Sequence, residues 1–178
     1  MREKPLPQGL IQVYTGDGKG KTTCALGLAV RAAGQGFRVY IIQFMKGRQT
    51  GESCAVARLA PEVTLRYFGR PGLINLRAPA PEDLALVQEA WILARQVLAA
   101  GEHDLVILDE INLALTHKLI PLDEALEALR RRPPWVEVVL TGRQAPPEFV
   151  EMADLVTEMR PVKHYYQAGV KARRGIEW

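Results

Sequence analysis

At 178 residues with a formal charge of +3, the chain has the length of one domain, and its basic excess is too mild for a clustered nucleic-acid face. Hydrophobic residues at 48% and charged residues at 24% are ordinary for a globular protein, and no run reaches the roughly 18 apolar residues of a membrane span. Met1–Pro7 lacks an apolar signal core, so the cytoplasm is the expected compartment and no membrane partner is expected.

The apolar run Leu10–Tyr14 reads as a first strand, and Cys24–Val30 reads as part of a helix. Between them lies Thr15-Gly16-Asp17-Gly18-Lys19-Gly20-Lys21-Thr22-Thr23. Strand, Gly-rich loop, Lys-Thr and helix form the context of a phosphate-binding loop. Glycines let successive backbone N–H groups turn toward phosphate oxygens, and the helix start adds free N–H groups and its positive dipole end. Lys21 is placed to neutralise the β/γ-phosphates, and the Thr22 hydroxyl to ligate Mg²⁺. The usual first Gly of the pattern is here Thr15. Cys24 falls on the apolar side of the helix, where a buried inert thiol is expected; neither it nor Cys54 has the spacing of a metal site.

Arg38–Phe44 is a near-continuous apolar run, as expected of a strand buried on both faces. A short helix is predicted over Glu52–Ala60 and a strand over Val63–Tyr67, and Gly69–Pro81 reads as a long loop. Leu84, Val87, Trp91, Ala94 and Leu98 recur at helical spacing, with Trp91 in the core. Leu105–Leu108 is a buried strand ending in Asp109-Glu110. Those two acids fit a magnesium partner for the loop, or alternatively caps of a helix starting near Ile111. A helix follows from Pro121, closed by Arg130-Arg131-Arg132, where cations complement the dipole. Then come a strand over Val136–Thr141, a short helix over Pro147–Met152 and a strand over Leu155–Met159. The alternation implies an α/β fold with a mostly parallel sheet and helices on both faces, its ligands at the carboxyl ends of the strands. Gln43, Lys46, Arg143, Lys163 and His164 all fall at such ends. No second domain boundary is visible, so 1–178 reads as a single nucleotide-binding domain with a short arm over 1–9 and a tail over 160–178.

In this order the segments resemble the P-loop type of ATP:corrinoid adenosyltransferase. The likeness rests on Thr15–Thr23, Gln43–Gly47, Leu108–Glu110, Leu119–Leu122, Thr141–Arg143, and above all Arg160–His164 with Ala168–Ala172 and Gly175-Ile176. Thr15 in place of Gly is that family's own habit. The resemblance implies a P-loop NTPase (RecA-like) fold, and a reaction in which reduced Co(I) corrinoid attacks the 5′-carbon of ATP and expels triphosphate. It implies Gly16, Asp17, Gly18, Lys19, Gly20, Lys21, Thr22, Thr23, Gln43, Lys46 and Arg143 at ATP, with Lys21, Thr22 and Glu110 catalytic. Thr22 and Glu110 are the expected Mg²⁺ ligands, with Asp109 the alternative, acting on the ion from behind them. Relatives are typically homodimers supplied with electrons by a reduced flavoprotein. An aromatic pair expected in the long loop is replaced by Leu73 and Asn75; with Lys163 and His164 these are the corrinoid candidates. Met1–Gly9 is too short for the helical lid of some relatives. The competing readings are a P-loop ATPase or small-molecule kinase, in which attack falls on the γ-phosphorus, and a non-catalytic module that delivers a bound cofactor.

Overall fold

The computed structural model describes residues 5–72 and 74–177. Six parallel strands, β1 (Ile11–Thr15), β2 (Val39–Phe44), β3 (Val63–Phe68), β4 (Leu105–Asp109), β5 (Glu137–Thr141) and β6 (Leu155–Glu158), form one sheet in the order β3-β2-β4-β5-β1-β6. Six helices join them: α1 (Lys21–Gly34), α2 (Gly51–Val56), α3 (Pro81–Ala100), α4 (Ile111–Thr116), α5 (Leu122–Arg131) and α6 (Pro147–Met152).

Period-two alternation divides the core into two layers. Ile42 and Phe44 of β2, Val106 and Leu108 of β4, and Val138 and Leu140 of β5 share one cluster with Trp91, Ile111, Leu126 and Phe149 of α3 to α6. The residues between them, Val39, Ile41, Leu105, Ile107 and Val139, face Ala25, Ala29 and Ala32 of α1 and Val56 of α2. Helices therefore cover both faces, as expected of strands buried on both sides.

Local chemistry sets the helix ends. Pro81 opens α3, Glu82 and Asp83 occupy its first turn, and Gly101 closes it in the left-handed region at φ 59°. In α5, Asp123 and Glu124 lie in the first turn and Arg130 and Arg131 in the last, matching the macrodipole. Pro121 precedes this helix as its N-cap. The helix expected over Glu52–Ala60 shortens to α2 followed by a 3₁₀ turn at Ala57–Leu59. Trp91 is core as expected, but Leu84 sits at the exposed rim of its stripe.

Cys24 corrects the expectation of a buried thiol: it is exposed. The buried face of α1 is Lys21, Ala25, Ala29 and Ala32, and Cys24 stands one residue, about 100°, off that line.

Candidate active site

The loop after β1 turns under the carboxyl edge of the sheet. Gly16 has φ 93°, and a Cβ there would stand 2.5 Å from the carbonyl oxygen of Met159, so only glycine fits. Gly18 N–H donates to that same carbonyl at 2.6 Å, tying the loop to the chain leaving β6. Thr15, which replaces the usual glycine, uses its hydroxyl to accept the Ala145 N–H at 3.1 Å. The departure from the common pattern is thus a bond to the segment beyond β5.

Lys21 is buried, and its ammonium donates to the Gly16 carbonyl at 2.6 Å and the Gly18 carbonyl at 2.8 Å. Burial lowers its pKa, opposed chiefly by the charge of Glu110. A cation held only by carbonyl oxygens in a partly desolvated loop is ready to exchange them for phosphate oxygens.

Asp109 and Glu110 have different environments. Asp109 is 2% exposed, and both oxygens of its carboxylate accept hydrogen bonds. Oδ1 accepts from the hydroxyls of Thr22 at 2.8 Å and Thr141 at 2.6 Å, and Oδ2 accepts from Gln43 Nε2 at 2.9 Å. Glu110 follows in the left-handed region at φ 66°, at the N-cap position of α4, and makes no side-chain cap. The capping alternative is therefore excluded. Its backbone N–H donates to Thr141 Oγ1 at 3.0 Å, while its Oε2 is buried without a hydrogen-bond partner. Burial, followed by the charge of Asp109, raises the Glu110 pKa.

Glu110, Thr22 and Lys21 line a cavity of about 630 Å³ together with Asp17, Lys19, Gly20 and Thr23. Lys46, paired with Glu52 at 2.9 Å, and Arg143, 3.9 Å from Asp17, reach the same cavity. Gln43 does not; it is buried at 1% exposure and supports Asp109 from below.

Of the corrinoid candidates, His164 lines the cavity, and its Nδ1 accepts the Tyr166 N–H at 3.1 Å. Lys163 is exposed. Asn75 is exposed in the loop after β3, with its side chain turned to the Arg77 N–H at 3.2 Å. Leu73 lies outside the described residues. The start of that loop is fixed: Arg70 grips Asp83 at 2.8 and 2.7 Å, and a Cβ on Gly47 would stand 1.8 Å from the Arg70 carbonyl oxygen.

Tyr165 and Glu177 belong to the site but are not among the expected site residues; Thr141, expected only as one of the polar groups lining the sheet edge, holds both acids. For Thr141 the available signal is its place at a strand end. Tyr165 and Glu177 fall inside the C-terminal tail, whose motif carried no geometry.

Thr141 spans both acids, which yields a direct test. Thr141→Val keeps the shape but removes a donor from a buried carboxylate and an acceptor from the Glu110 N–H, for an expected loss of about 2 kcal/mol. Thr141→Ser should restore most of it. Urea unfolding of the two variants checks this, and equal losses would show that the hydroxyl is not the cause.

Residues 7–178 match the family described as ATP:corrinoid adenosyltransferase BtuR/CobO/CobP. The chain is 41% identical over 172 residues to the corrinoid adenosyltransferase of Pseudomonas aeruginosa, covering 96% of this chain and 84% of that protein. It is 40% identical over 172 residues to the corrinoid adenosyltransferase of Escherichia coli (strain K12), covering 96% and 86%. In architecture it is similar to a KaiC-like protein of Pyrococcus horikoshii OT3, with a TM-score of 0.50, 15% identity, and 86% and 74% of the two chains covered. That likeness concerns the fold alone.

Proposed function

The chain belongs to the ATP:corrinoid adenosyltransferase family, and on that premise we propose how its own residues carry the transfer. The reaction moves the 5′-deoxyadenosyl group of ATP to the Co(I) of a corrinoid. The cobalt electron pair becomes the bond to C5′, the C5′–oxygen bond breaks, and the triphosphate departs with the electron pair of that broken bond. Cobalt carries no proton, so no general base is required.

The observation that carries the reading is the concentration of triphosphate-binding groups at the carboxyl edge of the sheet. The loop N–H groups and Lys21 meet a polyanion whose charge grows as it leaves. For this Lys21 turns its ammonium from the Gly16 and Gly18 carbonyls toward the phosphates. Lys46 and Arg143, at the cavity wall, add positive charge.

The residues present fit Mg²⁺. Glu110 Oε2 is a buried oxygen without a partner, and the Thr22 hydroxyl gives its proton to Asp109, leaving lone pairs for a cation. Thr22 and Glu110 would hold the ion, and Asp109 would orient Thr22. Among the described residues no three His, Cys, Asp or Glu side chains converge, which suits an ion shared with phosphate and water. When bound, such an ion supplies charge neutralisation of the leaving triphosphate.

Corrinoid contacts are proposed for the loop containing Leu73 and Asn75, at the β3 end of the sheet edge, and for Lys163 and His164 beyond β6. A homodimer and a flavoprotein electron donor come to this chain from the family resemblance.

The test is anaerobic incubation with ATP, Mg²⁺ and chemically reduced cobalamin. The expected result is the absorbance spectrum of adenosylcobalamin with triphosphate released in equal amount. Formation of ADP without an alkylated corrinoid would instead establish the kinase or ATPase alternative.

A further inference from the structure

The loop carries two lysines, and they have different partners. Lys21 is folded onto the loop carbonyls, whereas Lys19 reaches out to the C-terminal tail. An ammonium has three protons to give. Those of Lys19 meet the Tyr165 hydroxyl, the Ile176 carbonyl and Glu177 Oε1, each at 2.9 Å.

The tail partners are themselves interlocked. The Tyr165 hydroxyl accepts from Lys19 and donates to Glu177. Glu177 Oε2 accepts the Arg173 backbone N–H at 2.6 Å, and the Arg173 guanidinium reaches Oε1 at 3.2 Å. That guanidinium also lies 4.9 Å from the Tyr165 ring centroid. A single exposed ion pair contributes little, but a network with every proton of Lys19 assigned fixes a geometry. The bonds to Tyr165 and Glu177 raise the Lys19 pKa, and Arg173, Tyr165 and Lys19 hold Glu177 well below the usual carboxylate range. Both charges therefore persist at neutral pH.

The same contacts bring His164, Tyr165, Gly175, Ile176 and Glu177 to the cavity that Lys21, Thr22 and Glu110 line. A carboxylate facing a triphosphate site would repel the substrate if bare. Here two cations cover it.

We propose that Lys19 serves the tail and not the triphosphate. With Glu177 and Tyr165 it forms a clasp that sets residues 164–177 as the outer wall of the substrate cavity, which makes Glu177 a positioning residue for adenosyl transfer. The inference rests on the reading of this cavity as the ATP and corrinoid site.

A double-mutant cycle on Lys19→Met and Glu177→Gln tests it. Binding of the analogue adenosine 5′-(β,γ-imido)triphosphate with Mg²⁺, in the absence of corrinoid so that no Co(I) attacks C5′, is measured by calorimetry, alongside hydrogen exchange of the amides of 165–177. Each single variant should lose tail protection and bind the analogue about five- to tenfold more weakly, and the double variant should be no weaker than either, as two halves of one interaction require. KM for ATP should rise in parallel. Tyr165→Phe, which removes only the bridging hydroxyl, should give an intermediate loss of both. Additive losses would overturn the proposal, because Lys19 would then contact phosphate independently. So would a Glu177→Gln variant that binds the analogue as well as or better than wild type. If wild type itself binds no analogue and forms no adenosylcobalamin, the assignment of the cavity fails instead.

Discussion

Lys21→Ala is expected to weaken ATP binding and cut adenosylation at least ~100-fold, because one preorganised charge on a departing anion contributes about 3 kcal/mol. The magnitude follows from the reaction. All three phosphates leave as one group, and the charge gained on departure spreads over a triphosphate whose β/γ end Lys21 is expected to neutralise. Lys21 is buried and bonded only to two loop carbonyls, so its removal leaves no second cation in its position. Single-turnover measurement with preformed Co(I) checks the loss without interference from corrinoid reduction. A variant with near-wild-type turnover would remove the loop from the chemistry.

Glu110→Gln separates function from stability. The variant should need at least ~10-fold more Mg²⁺ for half-maximal rate, the scale of losses around metal sites. In the metal-free protein the same change should stabilise, or at worst leave stability unaltered. Burial raises the Glu110 pKa, so the folded chain holds the proton more tightly than the unfolded chain does. Its contribution is favourable below the unfolded value and is lost as pH rises through the raised folded value. Thermal midpoints of the two metal-free proteins should therefore diverge in favour of Gln as pH climbs out of the carboxylate range. Parallel curves, with an unchanged metal requirement, would assign Glu110 to backbone geometry alone.

What was legible in the amino-acid sequence was local. The strand–loop–helix around Gly16–Thr22 and the β–α alternation depend on neighbours in the chain, and both appear where expected. Cys24 reads as buried because the apolar run Ala25–Val30 follows it in sequence, whereas the face that packs is set by which line of α1 meets the sheet. Glu110 is ambiguous in sequence between cap and ligand because its left-handed backbone and the bond from its N–H to Thr141, 31 positions away, depend on the tertiary fold. The grouping of Gln43, Thr22 and Thr141 on one carboxylate depends on the β2-β4-β5 adjacency and on α1 lying over it. The link from Lys19 to Glu177 crosses 158 positions. No periodicity encodes such pairs; they follow from the sheet order.

That sheet order also grades how easily parts of the site come loose. β1, which feeds the phosphate loop, is hydrogen-bonded on both sides, by β5 and β6. β6, which feeds the tail, has β1 as its one neighbour, and all four of its residues are exposed. Segments with few buried contacts open at a small fraction of the global unfolding free energy. Loosening of β6 therefore reaches the phosphate loop through the Gly18 N–H bond to the Met159 carbonyl, while the β1–β5 pairing beneath that loop holds.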